Sequence, residues 1–111
     1  MLETFTRVAP ALPESLPAVL DMDGVDVVLF RVEDRYYAVS RWCPHRGADL
    51  QNGTCLGTSV KCPNHGFTFD LDSGQGISHP GHDLRAYEVR VEADGVYLRE
   101  RPARPSAAAW G

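Results

Sequence analysis

Membrane-length apolar runs are missing from this sequence, and the opening residues, Met1-Leu2-Glu3-Thr4-Phe5-Thr6-Arg7, show no basic start followed by an apolar stretch. We therefore expect neither a membrane segment nor an export signal. Positive charge is also short: 11 Lys plus Arg stand against 15 Asp plus Glu, a formal net charge of −4. A mildly acidic chain lacks the basic face that nucleic-acid phosphates require, whereas it suits a basic docking site on a protein partner. No P-loop, G-x-G-x-x-G fingerprint, internal repeat or long helical period occurs. Finally, from 111 residues we expect one domain with a modest core and no second catalytic domain.

Two stretches stand out against these absences: Cys43-Pro44-His45-Arg46-Gly47-Ala48 and Cys62-Pro63-Asn64-His65-Gly66-Phe67. Each offers one thiolate and one imidazole from a loop that also carries Pro and Gly. Pro44 and Pro63 fix φ and remove a donor, which stiffens the loops before a ligand arrives. Gly47 and Gly66, lacking Cβ, allow tight turns and are expected to bring backbone N–H groups close to a bound group, with sulfur as acceptor. The third cysteine, Cys55, has no partner left for a disulfide if the other two are ligands. It reads as a small buried apolar residue rather than a redox thiol.

The pattern C-x-H, sixteen residues, C-x-x-H resembles the cluster-binding signature of the Rieske iron–sulfur family. A Rieske [2Fe-2S] centre keeps two Cys on one iron and two His on the other. The resemblance therefore implies Cys43, His45, Cys62 and His65 as the metal and cofactor ligands, with no catalytic residue. Zinc is the competing cofactor for two Cys and two His, as a structural site. Small zinc sites usually pair Cys with Cys and His with His along the chain, while here the order alternates. Chance placement of core cysteines and surface histidines, or a cluster-free interaction module, are weaker readings.

Further expectations follow from the family. High-potential respiratory members carry an extra Cys in each loop, forming a disulfide; the matching positions here are Ala48 and Asn64, which points to the disulfide-free, ferredoxin-like branch and a cytoplasmic setting. Those members also place a Ser after the second His-Gly, where this chain has Phe67. With that hydroxyl donor and the disulfide both missing, the potential is expected in the lower part of a range of about −150 to +300 mV. Reduction is expected to couple to proton uptake by the two imidazoles in the alkaline range. Oxygenase subunits need a separate non-haem iron domain, for which no segment remains. The implied role is a Rieske-type ferredoxin, an electron carrier and not an enzyme. It would pass single electrons from a flavin- and NAD(P)H-dependent reductase to a terminal oxygenase, as a monomer when free. The alternative is a small Rieske subunit of a larger redox enzyme such as assimilatory nitrite reductase.

Taken in order, residues 5–8, 18–22, 25–32 and 35–40 read as strands, with turns at Asp23-Gly24 and Glu33-Asp34 and a Pro-rich loop over 9–17. Residues 48–57 read as turns and 58–61 as a short strand. Residues 67–71 and 76–78 read as the arms of a hairpin. A loop at His79-Pro80-Gly81-His82 matches the Pro-containing third loop that closes over the cluster in the family. Both of its histidines are expected to be solvated rather than ligating. Period two assigns 84–92 and 96–100 to a last hairpin. The fold class is thus all-β, and the family implies a β-sandwich or barrel (residues 1–100) with a small cluster-binding subdomain of two hairpin loops. Residues 101–111 are expected to form a mobile tail, in which Trp110 is unexplained. Trp42 and Arg46, beside the ligands, are candidates for a docking rim.

Overall fold

The computed structural model describes residues 4–44, 47–63, 66–79 and 81–101. Nine strands account for its regular structure: β1 (Thr6–Ala9), β2 (Ala18–Met22), β3 (Val25–Val32), β4 (Arg35–Ser40), β5 (Thr54–Leu56), β6 (Ser59–Lys61), β7 (Thr68–Asp70), β8 (Ala86–Glu92) and β9 (Gly95–Glu100). A single 3₁₀ turn, Leu50–Asn52, is the one helical piece among the described residues. The all-β expectation holds, and eight of the nine strands fall within about two residues of the positions read from sequence.

Six strands form one antiparallel sheet in the order β1-β9-β8-β4-β3-β2. Its two outer strands, β1 and β2, also touch, so the sheet curls toward a closed barrel. A second, three-stranded antiparallel sheet, β5-β6-β7, sits on its outer face. The β2–β3 hairpin turns at Asp23 and Gly24, whose φ values of 51° and 87° match the twist of the flanking strands.

Why the small sheet sits where it does is written in β3. Val27, Val28, Leu29 and Phe30 are all buried, a continuous run that only a strand covered on both faces tolerates. Val27 and Leu29 point into the curled sheet, where they join Ala38, Tyr87, Val96 and Leu98. Val28 and Phe30 point outward to a second core made with Val60, Phe69, Leu71 and Leu84. Neighbouring strands divide the same way: Ala38 faces in and Val39 out on β4, Tyr87 in and Ala86 out on β8. The outer core holds the two sheets together, and Cys43 and Cys62 belong to it.

Three local expectations are corrected. Residues 54–56, read as part of a turn-rich stretch, form β5, an edge strand with all three residues exposed and no alternation to reveal it. Residues 76–78 form no strand; Gly76 makes an isolated bridge to Phe69 and the Ile77 N–H donates to Thr68 O at 2.7 Å before the chain turns away. Cys55 lies exposed on β5 instead of buried. Partial desolvation of its thiol pushes the pKa up. The proposed tail, with Trp110, lies outside the described residues beyond Arg101.

Candidate metal centre

Both cysteine loops close in the same way. Cys43 N–H donates to Ala48 O at 2.9 Å, and Cys62 N–H donates to Phe67 O at 2.6 Å, a reach of five residues in each case. Gly47 and Gly66 stand at the same place in the two loops and share φ of +70°. That region disfavours side chains, so a glycine at the fifth position is what lets each chain reverse in six residues. The flanks match as well: Trp42 bridges Asp49 at the foot of loop one, and Lys61 pairs with Thr68 at the foot of loop two. One element differs from expectation. The Gly47 N–H is turned back to Cys43 O at 2.7 Å, so it closes its own loop instead of facing a bound group.

This geometry turns two cysteines 19 positions apart into neighbours of one core. Cys43 and Cys62 are buried, at 3% and 2% exposure, among Leu50, Val60, Phe67 and Phe69. A thiolate in such surroundings is disfavoured unless a cation binds it. Paired buried cysteines on matched glycine loops therefore fit the thiolate half of a [2Fe-2S] ligand set. His45 and His65, the imidazole half, lie outside the described residues, as do Arg46, Asn64 and Pro80.

The supports beneath the two loops differ. Loop one rests on a charged clamp. Arg41 gives two hydrogen bonds to Asp49 (Nε to Oδ1 3.1 Å, Nη2 to Oδ2 2.9 Å) and one to Asp26 (3.2 Å). Asp49 Oδ1 also accepts the Gln51 N–H at 3.0 Å, capping the 3₁₀ turn. The hydrogen bonds from Arg41 hold the Asp49 carboxyl below the usual carboxylate range, against the opposing effect of partial burial. Above the clamp, the Arg41 guanidinium lies 4.4 Å from the Trp42 ring centre.

Loop two rests on an aromatic stack. Phe67 is buried against Phe69, and His79 lies flat on it, with centroids 3.6 Å apart and an angle of 2°. His82 meets the Phe67 ring edge-on at 5.8 Å. Ser78 Oγ accepts the Thr68 N–H at 3.0 Å and lies 2.8 Å from His79 Nδ1. The two histidines are exposed, as expected, but packing against loop two was not anticipated. The Arg41 clamp was also missed, although Asp49 before a Leu-Gln-Asn turn carries an Asx-cap signal.

A groove of about 390 Å³ opens elsewhere, where β4 and β8 part beyond the Ala38–Tyr87 pair. Its walls include Tyr36, Tyr37, Glu88 and Arg90 and none of the cysteine-loop residues, and Arg101 ties its sides through Asp72 (3.3 Å) and Glu88 (3.9 Å). It reads as a braced seam between the two sheets. Among the described residues no helix is long and apolar enough to cross a membrane.

Comparison with known proteins agrees with this geometry. The chain is 29% identical over 89 residues to the ferredoxin component of the naphthalene 1,2-dioxygenase/salicylate 5-hydroxylase systems of Ralstonia sp, covering 79% of this chain and 86% of the relative. Among solved structures it resembles the ferredoxin of carbazole 1,9a-dioxygenase from Nocardioides aromaticivorans IC177, with TM-score 0.74 and 30% identity over 89% of this chain and all of that one. It is also similar to the structure described as a complex of reduced oxygenase and oxidized ferredoxin in carbazole 1,9a-dioxygenase, with TM-score 0.72 and 28% identity over 90% of this chain and 98% of that one. The model of the Rieske [2Fe-2S] domain matches residues 7–88, and with it the two glycine-closed cysteine loops find their family: this chain belongs to the Rieske [2Fe-2S] domain proteins.

Proposed function

We propose that this protein is a Rieske-type ferredoxin that carries single electrons from a flavin- and NAD(P)H-dependent reductase to the terminal component of an oxygenase system. Cys43, His45, Cys62 and His65 are the proposed ligands of one [2Fe-2S] cluster per chain, the two cysteines on one iron and the two histidines on the other. The cluster supplies a one-electron couple. The chain's own part is to hold two thiolates in a dry core, to orient the loops through the Arg41 clamp and the Phe67 stack, and to present the cluster end to a partner. It is an electron-transfer component and not a catalyst of the substrate reaction. The observation that carries this reading is the repeated loop closure, with two buried cysteines five residues from their hydrogen-bond acceptors and a glycine at φ +70° in each. A cytoplasmic monomer is part of the same proposal.

Iron and acid-labile sulfide analysis together with electron paramagnetic resonance of the reduced protein tests it. The expected result is two irons and two sulfides per chain and the low average g value that nitrogen ligation of one iron produces. Replacing His65 by Cys is expected to abolish that signature, and replacing Cys62 by Ser to abolish cluster binding. One zinc per chain without sulfide would overturn the cofactor and the carrier role together. A redox titration places the potential in the lower half of a range of about −150 to +300 mV.

A further inference from the structure

We propose that Asp26, drawn to the foot of loop one by Arg41, is a potential-setting residue whose negative charge makes the cluster harder to reduce; this rests on the cluster reading above. Asp26 belongs to β3, well before either cysteine loop in the chain. The fold brings it there. Its backbone O accepts the Arg41 N–H at 3.0 Å, and its Oδ2 accepts Arg41 Nη1 at 3.2 Å. Arg41 stands two residues before Cys43, a chain span of at most about 7 Å, so Asp26 lies within roughly 10 Å of that proposed ligand's backbone.

The charges at this spot do not balance. One guanidinium serves two carboxylates, a formal charge of −1, and among the described residues no other cation forms an ion pair with Asp26 or Asp49. Asp49 has structural duties of its own, since it takes two of the three Arg41 hydrogen bonds and caps the 3₁₀ turn at the Gln51 N–H. Asp26 has fewer: its carboxylate makes the single 3.2 Å bond to Arg41. It also faces Asp21 directly across the β2–β3 pair, on the same side of the sheet. Like charges opposed in this way cost stability, so the strand pair by itself selects against an acid at this position.

Reduction adds one negative charge at the site, and a nearby carboxylate opposes that gain, so its effect on the potential is downward. Asp26, Asp49 and Arg41 are each partly buried, with side chains 40%, 22% and 24% exposed, which leaves their field less screened than that of fully solvated groups. Beneath loop two the contacts are aromatic, and Lys61 beside Cys62 is exposed, so its charge is screened. The imbalance therefore belongs to loop one. It acts in the same direction as the missing hydroxyl donor at Phe67.

The test is a mediated dithionite titration of the whole cluster-loaded protein, followed by visible absorbance at low and high salt. In Asp26→Asn the ratio of reduced to oxidised protein at a fixed applied potential is expected to rise about threefold, an upward shift of about 28 mV at 59 mV per tenfold for one electron. Asp26→Glu is expected to titrate like wild type, and Asp26→Lys to shift the ratio about ninefold. Arg41→Gln breaks the same hydrogen bond as Asp26→Asn but removes a positive charge, so its ratio is expected to fall. Opposite signs mark a field effect, because a loosened clamp would move both variants the same way. The paramagnetic signal is expected to stay unchanged in Asp26→Asn, and its shift to narrow at high salt. An unchanged ratio in Asp26→Asn overturns the proposal, as does an altered paramagnetic signal in that variant or a shift of the same sign in Arg41→Gln. Should Arg41→Gln fail to fold, the comparison of Asp26→Asn with Asp26→Lys decides, and a shift no larger in the second overturns it. A wild-type protein without iron and sulfide would overturn the cluster reading itself, an outcome distinct from a variant that titrates like a cluster-bearing wild type.

Discussion

Loop one and loop two close with the same hydrogen bond and the same glycine conformation and are held from below by opposite kinds of force. Their closing hydrogen bonds span the same five residues and their glycines share one φ value. Beneath loop one lies a guanidinium between two carboxylates; beneath loop two lies a buried phenylalanine with a histidine ring flat upon it. A required backbone geometry can thus be reached from polar or apolar support, but the two supports answer differently to pH, salt and cavity formation. The charged support also leaves an aromatic side chain standing in water at Trp42, which the apolar support does not do at Phe67.

The largest expected difference comes from emptying the apolar support. Phe67→Ala removes a buried ring from the core shared by both cysteines and takes away the platform of His79 and His82, with an expected loss of about 3 kcal/mol in denaturant unfolding. A loss under about 1 kcal/mol would mean that His79 and the neighbouring core collapse into the space.

Next in size are the glycines, which sharpen the comparison from the side of likeness. Among the described residues a Cβ at Gly47 meets nothing within 4 Å, and one at Gly66 meets only the flexible Lys61 Cε at 3.3 Å. Both glycines sit at φ of +70°, and Gly47→Ala and Gly66→Ala are each expected to cost about 1 to 2 kcal/mol through that positive φ. Markedly unequal losses would show that the loops are not equivalent.

The smallest effect is the most specific. Asp49→Asn weakens the clamp and is expected to cost about 1 kcal/mol at neutral pH. Because the folded carboxyl has a pKa below the ordinary value of 3.8, Asp49 stabilises the fold above that value, and the contribution is lost as pH falls through the lower folded value. The gap between wild type and Asp49→Asn should close in strong acid and narrow with added salt, while the Phe67→Ala gap should do neither. Urea unfolding at pH 3 and pH 7, with and without salt, separates the two supports.

Much of this arrangement was legible from the chain because it depends on local rules. The Asp23-Gly24 turn, the β-branched run of β3 and the period-two pattern of β8 each act over a few residues, and the turn and both strands appeared within two residues of where they were read. That Cys43 and Cys62 belong together in one core fits the two similar motifs that carry them. What escaped reading was non-local or lacked a pattern. β5 is exposed on every residue and pairs only because β6 lies beside it. The expected return strand at 76–78 gave way because the chain turns to lay His79 on Phe67, a contact twelve positions apart.

Sequence alone determined the strand-rich class, the two Cys-Pro loops with their glycines and the family's cofactor, because ligand chemistry and turn conformation reside in individual residues. Only the tertiary structure decided that β3, with Ala38 and Val39 of β4 and Ala86 and Tyr87 of β8, is buried on both faces, that Arg41 is shared by Asp26 and Asp49, and that Trp42 stays in the open. Those outcomes depend on which surfaces meet after the sheet has curled, and burial and ion pairing between distant positions are properties of that meeting and not of any one stretch of chain.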